Sequence, residues 1–598
     1  MTKEESRTSQ DRVVFLCSIA VLISLLTVVV AKLLVLLINF VTNLVFLHHF
    51  SVADATPSQA LSPLWFVLAP PLGGLIVGFL ARYGSAAIRG HGIPEAMEQV
   101  LTNCSRIPPR VTILKPLSSA IAIGTGGPFG AEGPIIATGG ALGSLLGQIL
   151  RTTGSERKVL LAAGAASGMT AIFGTPISAV VLAIELLLFE FRSRSLAPIA
   201  LACAVAAGAR SLLFHSGPVF AMPNVQVPSK EALIAYLVIG AVIGLVAVVV
   251  TKLVYAIEDI FERLPIHWMW WPAIGGVAVG LIGLASPSTL GVGYDNIVSL
   301  LGGKIVGGAL VLLTFAKLAS WLIALGSGTS GGTLAPLFTI GGGIGALLGL
   351  TFQTYVPAVG TDIRLCALVG MAAMFTGASR AMLTSVIFAF EATLQPVGIF
   401  PLLGSCTIAY LVSLTMMRNT IMTEKIVRRG VVVPSDYEAD YLSRQLVASC
   451  GVKAVTCIND TDLIGKVRTE TSFSHGSKGH HGYPVINSEG RLAGVITRKE
   501  IFDPLVPNEA TAGSLIKQLP IRAFDDNTLR EAADLMVRCN VGRLPVVSQQ
   551  HPDIVIGIIT RSDLLQAHTS RIAEEEEAGR HIRIRKSINF RPKGNREC

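Results

Sequence analysis

The sequence predicts an all-α polytopic membrane protein with broken helices, followed by a small soluble α/β part. Three observations predict it. Of 598 residues, 51% are hydrophobic and 15% charged, with mean hydropathy +0.60, whereas soluble domains are about a quarter charged. The apolar character ends near residue 430, beyond which the chain reads as a charged soluble protein. Glycine, 60 residues in all, and proline interrupt many of the apolar runs. At membrane depth such breaks are tolerated only where the backbone is buried in protein or lines a cavity, the mark of a transport pathway.

The same composition excludes other classes. Nine cysteines scattered from Cys17 to Cys598 without metal-like spacing do not make a disulfide scaffold. The net charge of +9 suits basic loops on the cytoplasmic side of a membrane and implies no nucleic-acid partner. No HExxH, nucleophile elbow or P-loop is present, so an enzyme is not expected. His475, His480 and His481 lack Cys or acidic partners at metal-binding spacing, so they read as a surface loop and no metal site is expected.

Along the chain, residues 1–12 are a polar N-terminal segment, expected on the cytoplasmic side. Val13–Phe46 exceeds the roughly 20 residues that cross a bilayer and lacks a small-residue cleavage site, so it reads as a long tilted first helix. Further apolar stretches lie near 64–82, 133–150, 157–190, 197–213, 232–262, 270–285, 305–325, 333–352, 364–376, 381–394 and 400–417. Two halves are related by an internal repeat. Residues 130–147 align with 332–349 at an offset of 202, with five glycines, a proline and two leucines coincident. Residues 176–185 align with 382–391 at an offset of 206, ending on Glu185 and Glu391. The halves span about 13–220 and 230–430 of a membrane part covering 13–430.

Two smaller units follow, 431–508 and 509–570. Each has a Pro-led apolar strand and then a shared G-[VI]-I-T-R core, at Gly494–Arg498 and Gly557–Arg561, followed by Lys-Glu or Ser-Asp. Residues 571–598 combine an acidic and a basic run and read as a solvated or disordered tail.

Three loops rich in glycine and carrying proline precede apolar helices: Gly90-His91-Gly92-Ile93-Pro94-Glu95, Gly130-Ala131-Glu132-Gly133-Pro134 and Gly331-Gly332-Thr333-Leu334-Ala335-Pro336. Glycine lets backbone approach an ion, and proline suits a first helical turn. The free N–H groups of that turn carry partial positive charge, so three converging N-termini would bind an anion without a full cation. The binding stays weak enough for exit.

These loops, GHGIPE at 90–95, GPFGAEGP at 127–134 and SGGTLAP at 330–336, resemble those of the CLC family of chloride channels and chloride/proton antiporters. The resemblance covers about 13–430, and residues 431–570 look like a tandem pair of cystathionine-β-synthase (CBS) domains. It implies an inverted-repeat CLC-type helical bundle in a homodimer with one path per subunit, conducting chloride and similar anions, with the CBS pair and C-terminus cytoplasmic. Glu132 matches the gating glutamate, which occupies the anion path and leaves it when protonated. The backbone N–H groups of Thr333 and Leu334 match chloride contacts, although the side chains depart from the usual Ile-Phe. His91 stands where the family has a serine and could donate or titrate. Met422 falls at or near the position of the family's pore tyrosine.

Leu186 replaces the internal proton glutamate of the antiporters, which follows the residue matching Glu185. Leucine carries no proton, so the resemblance implies a passive channel. Glu190, one turn further on, is the alternative proton carrier of an antiporter, and its plainer role is a helix-end carboxylate near Arg192 and Arg194. In the CBS pair, Thr560 and Asp563 match residues that hold a nucleotide's ribose, with Thr497 and Glu500 a conservative departure. Adenine nucleotide is thus a candidate ligand, and no cofactor is required. A reading of another class is an anion or nucleotide receptor without flux.

Overall fold

An apolar run in hydrocarbon must satisfy its own backbone polar groups, and a helix does so within one segment. In the computed structural model the described residues are 3–566, apart from 151, 215–216, 432, 434–441, 443–444, 451–454, 473–481 and 518–519. The tail from 571 and the histidines His475, His480 and His481 lie outside them.

The first half comprises α1 (Lys3–Thr42), α2 (Leu64–Tyr83), α3 (Ile93–Thr102), α4 (Pro109–Gly124), α5 (Glu132–Ile149), α6 (Gly154–Phe173), α7 (Pro176–Leu182) and α8 (Ser193–Leu213). The second half repeats the series as α9 (Lys230–Glu262), α10 (Trp271–Ala285), α11 (Tyr294–Leu301), α12 (Gly307–Gly326), α13 (Leu334–Tyr355), α14 (Ile363–Ser379), α15 (Met382–Thr393) and α16 (Ile399–Met416). The short α17 (Glu424–Arg428) closes it. Eight helices among the described residues are long and apolar enough to cross a membrane.

The glycine repeat is a repeat of packing. A Cβ on Gly139 would fall 2.2 Å from the Gly164 carbonyl oxygen, and one on Gly341 would fall 2.5 Å from that of Gly370. Gly143 and Gly345 likewise meet the carbonyls of Leu160 and Cys366 at 2.1 and 2.3 Å. α5 therefore lies backbone to backbone on α6, and α13 on α14, at a spacing only small residues allow.

Three features differ from the hydropathy reading. The run at 157–190 is two helices, because Gly174 turns left-handed (φ +66°) and Pro176 opens α7, which passes into a π-helical turn at Ala183–Leu188. α3, α4 and α11 are additional helices that no apolar stretch marked. α1 begins at Lys3, so the polar start of the chain joins the first helix, where Arg12 pairs with Glu156 of α6.

Residues from 438 form a second unit. It contains β1 (Ile458–Asn459), α18 (Ile464–Ser472), β2 (Gly482–Ile486), β3 (Leu492–Thr497) and α19 (Arg498–Ile501), then β4 (Ala523–Phe524), α20 (Leu529–Arg538), β5 (Arg543–Val547) and β6 (Val555–Thr560). The sheets β1-β2-β3 and β4-β5-β6 share one plan, with the middle strand parallel to the first and antiparallel to the third. Pro484 faces Val495 in one sheet as Pro545 faces Ile558 in the other, as the sequence repeat predicts. The sheets exchange their lead-in segments. Val447, which precedes β1, packs in the core of the second sheet, and Ala512, which precedes β4, packs in that of the first.

Candidate functional site

Lys115 and Lys317 are separated by the same 202 residues as the paired glycines, and both are buried. A buried ammonium needs acceptors, and each finds them on a loop. Lys115 Nζ donates to the carbonyls of Ile88 and Gly90, both at 2.8 Å. Lys317 Nζ donates to those of Thr289 at 2.9 Å and Gly291 at 3.2 Å. The two loops are equivalent. Gly90 and Gly92 have φ +95°, Gly291 has +73° and Gly293 +78°, values that side chains rarely adopt. One loop leads into α3, the other into α11.

The three loops named from the sequence meet. Gly332 N–H donates to the Gly130 carbonyl at 3.0 Å and Gly130 N–H to that of Gly332 at 3.3 Å, an antiparallel bridge between repeat-related residues. Gly331 N–H donates to the Gly90 carbonyl at 3.4 Å, and a Cβ on Gly133 would lie 2.3 Å from the His91 oxygen.

Glu132, the first residue of α5, is fully buried where these loops join. Its Oε1 accepts from Ala335 N–H at 2.9 Å, and its Oε2 accepts from the Tyr294 hydroxyl at 3.1 Å. A Cβ on Gly130 would come 1.9 Å from Oε2, and one on Gly332 would come 2.8 Å from Oε1, so glycine at both positions makes room for the carboxylate. Ala335 lies in the first turn of α13, whose N–H groups have no intrahelical acceptor. The arrangement is a carboxyl group of the protein itself held against a helix N-terminus.

The other predicted residues fall around it. Ala131 precedes the first turn of α5 and Thr333 that of α13, neither making a side-chain cap, and Leu334 is the first residue of α13. Ile93 and Pro94 form the first turn of α3, where Gly92 N–H donates to Glu95 Oε2 at 2.6 Å. His91 Nδ1 and Thr333 Oγ1 are buried with no hydrogen-bond partner among the described residues. Glu95 Oε1 on the first of these loops is buried without a hydrogen-bond partner in the same way. Met422 is buried, its N–H on Thr420 Oγ1 at 3.2 Å. Beside it the Tyr255 hydroxyl donates to the Ile421 carbonyl at 2.7 Å. Leu186 is buried in the π-helical turn. Glu190 accepts from Ser195 Oγ at 2.7 Å and lies 3.8 Å from Arg192, at the start of α8.

In the second unit both acidic residues serve as capping partners. Asp563 Oδ2 accepts from Thr560 N–H and hydroxyl at 2.8 and 2.7 Å, and Glu500 Oε2 accepts from the same groups of Thr497 at 2.9 and 2.8 Å. Partial burial pushes the Glu500 carboxyl up, but the Thr497 donors and the Lys517 ammonium outweigh it and hold it below the usual range.

Sequence reasoning missed Tyr294, Lys317, Lys115 and Tyr255. The repeat offset marks the two lysines. The Gly-x-Gly pair common to 90–92 and 291–293 is a fainter sign of the loop that carries Tyr294.

Residues 73–414 match the family model described as voltage gated chloride channel, and 452–506 and 516–570 match CBS domains. A putative chloride channel protein ClcB-like of Ralstonia nicotianae is 27% identical over 58% of this chain and 82% of its own length. The H(+)/Cl(-) exchange transporter ClcA of Vibrio parahaemolyticus is 30% identical over 59% of this chain and 77% of its own. Among solved structures, a slow cyanobacterial Cl-/H+ antiporter aligns over 69% of this chain and 97% of that one, with TM-score 0.63 and 22% identity. A eukaryotic CLC transporter aligns over 92% of this chain and 97% of that one, with TM-score 0.59 and 20% identity. With the family model spanning more than half its length, the chain belongs to the voltage-gated chloride channel (CLC) family and carries two CBS domains.

Proposed function

We propose that this protein conducts chloride and similar anions passively across a bilayer, as a homodimer with one path in each subunit, gated by Glu132. The observation that carries this is the Glu132 carboxyl group held by the first turn of α13 where the loops from both halves join. A site that holds a carboxylate holds a halide by the same N–H groups once the carboxylate leaves. His91 and Thr333 supply side-chain donors on the same loops, and Ile93 and Leu334 add first-turn backbone. Met422 lines the inner end in place of a tyrosine. The CBS pair is a cytoplasmic regulatory unit. For it to take an adenine nucleotide, the ribose would have to compete with Thr560 for Asp563 Oδ2.

Leu186 favours a channel over an exchanger, since no proton can rest on it. Glu190, bonded to Ser195 and beside Arg192, acts as the helix-end carboxylate. The names of the Vibrio relative and the cyanobacterial structure favour the second reading, chloride/proton exchange.

Chloride efflux from proteoliposomes tests conduction through this site. Wild-type protein is expected to support efflux without nucleotide, and Glu132→Gln is expected to raise it at neutral pH. No efflux from either protein would overturn the proposal and favour a receptor without flux.

A further inference from the structure

We infer that the Tyr294 hydroxyl is a ligand of the anion position at α13, holding the Glu132 carboxylate when that position is blocked and the permeant anion when Glu132 has left. The inference rests on the proposal that Glu132 is the gate. Backbone N–H groups serve any helix N-terminus, whereas the hydroxyl is a side-chain donor added from another helix. Tyr294 O–H donates to Oε2, while Ala335 N–H donates to Oε1, so the two carboxylate oxygens are held by separate elements. An anion in the place of the carboxylate would meet the same two donors.

Several contacts fix the hydroxyl there. Tyr294 is the first residue of α11 and follows Gly293, whose φ of +78° turns the chain into the helix. Lys317 Nζ grips the Gly291 carbonyl of the same loop at 3.2 Å. The ring is packed by Phe173 and Phe220, each with its centroid 5.8 Å away. The ring is thus held by apolar neighbours while its oxygen reaches the site. Among the described residues, the titratable groups facing Glu132 are Tyr294 from α11 and, at longer range, the Lys317 ammonium from α12. α13 presents backbone N–H, and Lys115 on α4 is turned to the carbonyls of Ile88 and Gly90.

Tyr294→Phe removes one oxygen and keeps the ring, so the fold should be retained. The test compares wild type, Tyr294→Phe, Glu132→Gln and the double variant in proteoliposomes. It reads chloride efflux against external pH, and chloride affinity by calorimetry in the Glu132→Gln background. A hydrogen bond to a charged group is worth roughly tenfold to a hundredfold. Tyr294→Phe should therefore move half-activation upward by about one to two pH units, because the blocked, ionised state loses a partner. The double variant should bind chloride about tenfold more weakly than Glu132→Gln.

An unchanged pH midpoint, even with an altered maximal rate, would overturn the latch. Unchanged chloride affinity in the double variant would overturn the anion-ligand role. If Glu132→Gln itself keeps the wild-type pH profile, the gate reading fails and this inference with it. A flat profile in Glu132→Gln beside an unmoved Tyr294→Phe sinks the Tyr294 inference alone.

Discussion

Glu185 and Glu391 cap each other's helices. Glu185 Oε1 accepts from Leu383 N–H at 3.2 Å, and its Oε2 accepts from Thr384 N–H at 3.0 Å and from the Thr384 hydroxyl at 2.6 Å, all in the first turn of α15. Glu391 returns the contact on α7, accepting from Ile177 N–H at 3.0 Å and Ser178 N–H at 2.8 Å. A contact in which each of two repeat-related residues reaches its counterpart's helix is what a two-fold relation between the halves produces. It also explains why the repeat carries a glutamate at these apolar helix ends. The carboxylate pairs with first-turn N–H groups and their partial charge.

Loss of either cap should destabilise the fold unequally. Glu185 is buried, so Glu185→Ala should cost about 2–3 kcal/mol, and the less buried Glu391→Ala about 1 kcal/mol. Glutamine at either position should recover part of the loss by accepting the same N–H groups. Thermal midpoints of the detergent-solubilised protein check this; wild-type midpoints for both alanine variants would remove the capping account.

Side chains at the packing glycines should separate the helices. Gly345→Val has no room beside the Cys366 carbonyl and should cost about 1–3 kcal/mol or more. Gly308→Ala on α12, with nothing within 4 Å, is the control and should melt with wild type. Equal midpoints for the two variants would contradict backbone-to-backbone packing.

Lys317→Met should release the loop that carries Tyr294. It leaves the carbonyls of Thr289 and Gly291 without their buried donor, at about 1–3 kcal/mol for each group left unpaired. Lys115→Met should do the same to the loop that carries His91. Both variants are expected to show lower thermal midpoints, and chloride should restore less of the stability of each than it does in wild type. A Lys317→Met protein with the wild-type midpoint would remove the clamp.

Glu190→Gln should leave chloride efflux unchanged, because the side chain is engaged with Ser195 and Arg192. Proteoliposome efflux checks this, and a fall of more than about threefold, roughly 0.7 kcal/mol, would place Glu190 in the transport path.

Much of this organisation was legible in residue spacing. Gly139 and Gly143 had to align with Gly341 and Gly345 because two helix pairs pack through bare backbone, and packing distance leaves a direct mark on sequence. Glu132 stood out because a carboxylate between glycines in an apolar run is costly unless it has a use. Tyr294 left no such mark. It lies 162 positions from Glu132, and only the fold, with α11 packed on α13 and α14, joins them. Its loop shares no more than Gly-x-Gly with the one at 90–92, too little for an alignment to register. Hydropathy also ran α6 and α7 together, since it averages over Gly174, whose left-handed turn separates them. The exchanged lead-ins of the CBS sheets were hidden for a related reason. Val447 and Ala512 are ordinary apolar residues, and nothing local says which core receives them.

The central claim is passive conduction gated by Glu132 with no proton carrier at Leu186. The most direct measurement records chloride efflux and internal pH together in proteoliposomes, with a potassium ionophore to clamp the voltage. The account predicts chloride efflux with no proton movement against an imposed gradient, in wild type and in Glu132→Gln alike. Proton uptake driven by the chloride gradient in wild type, abolished in Glu132→Gln, would contradict it and make the protein an exchanger.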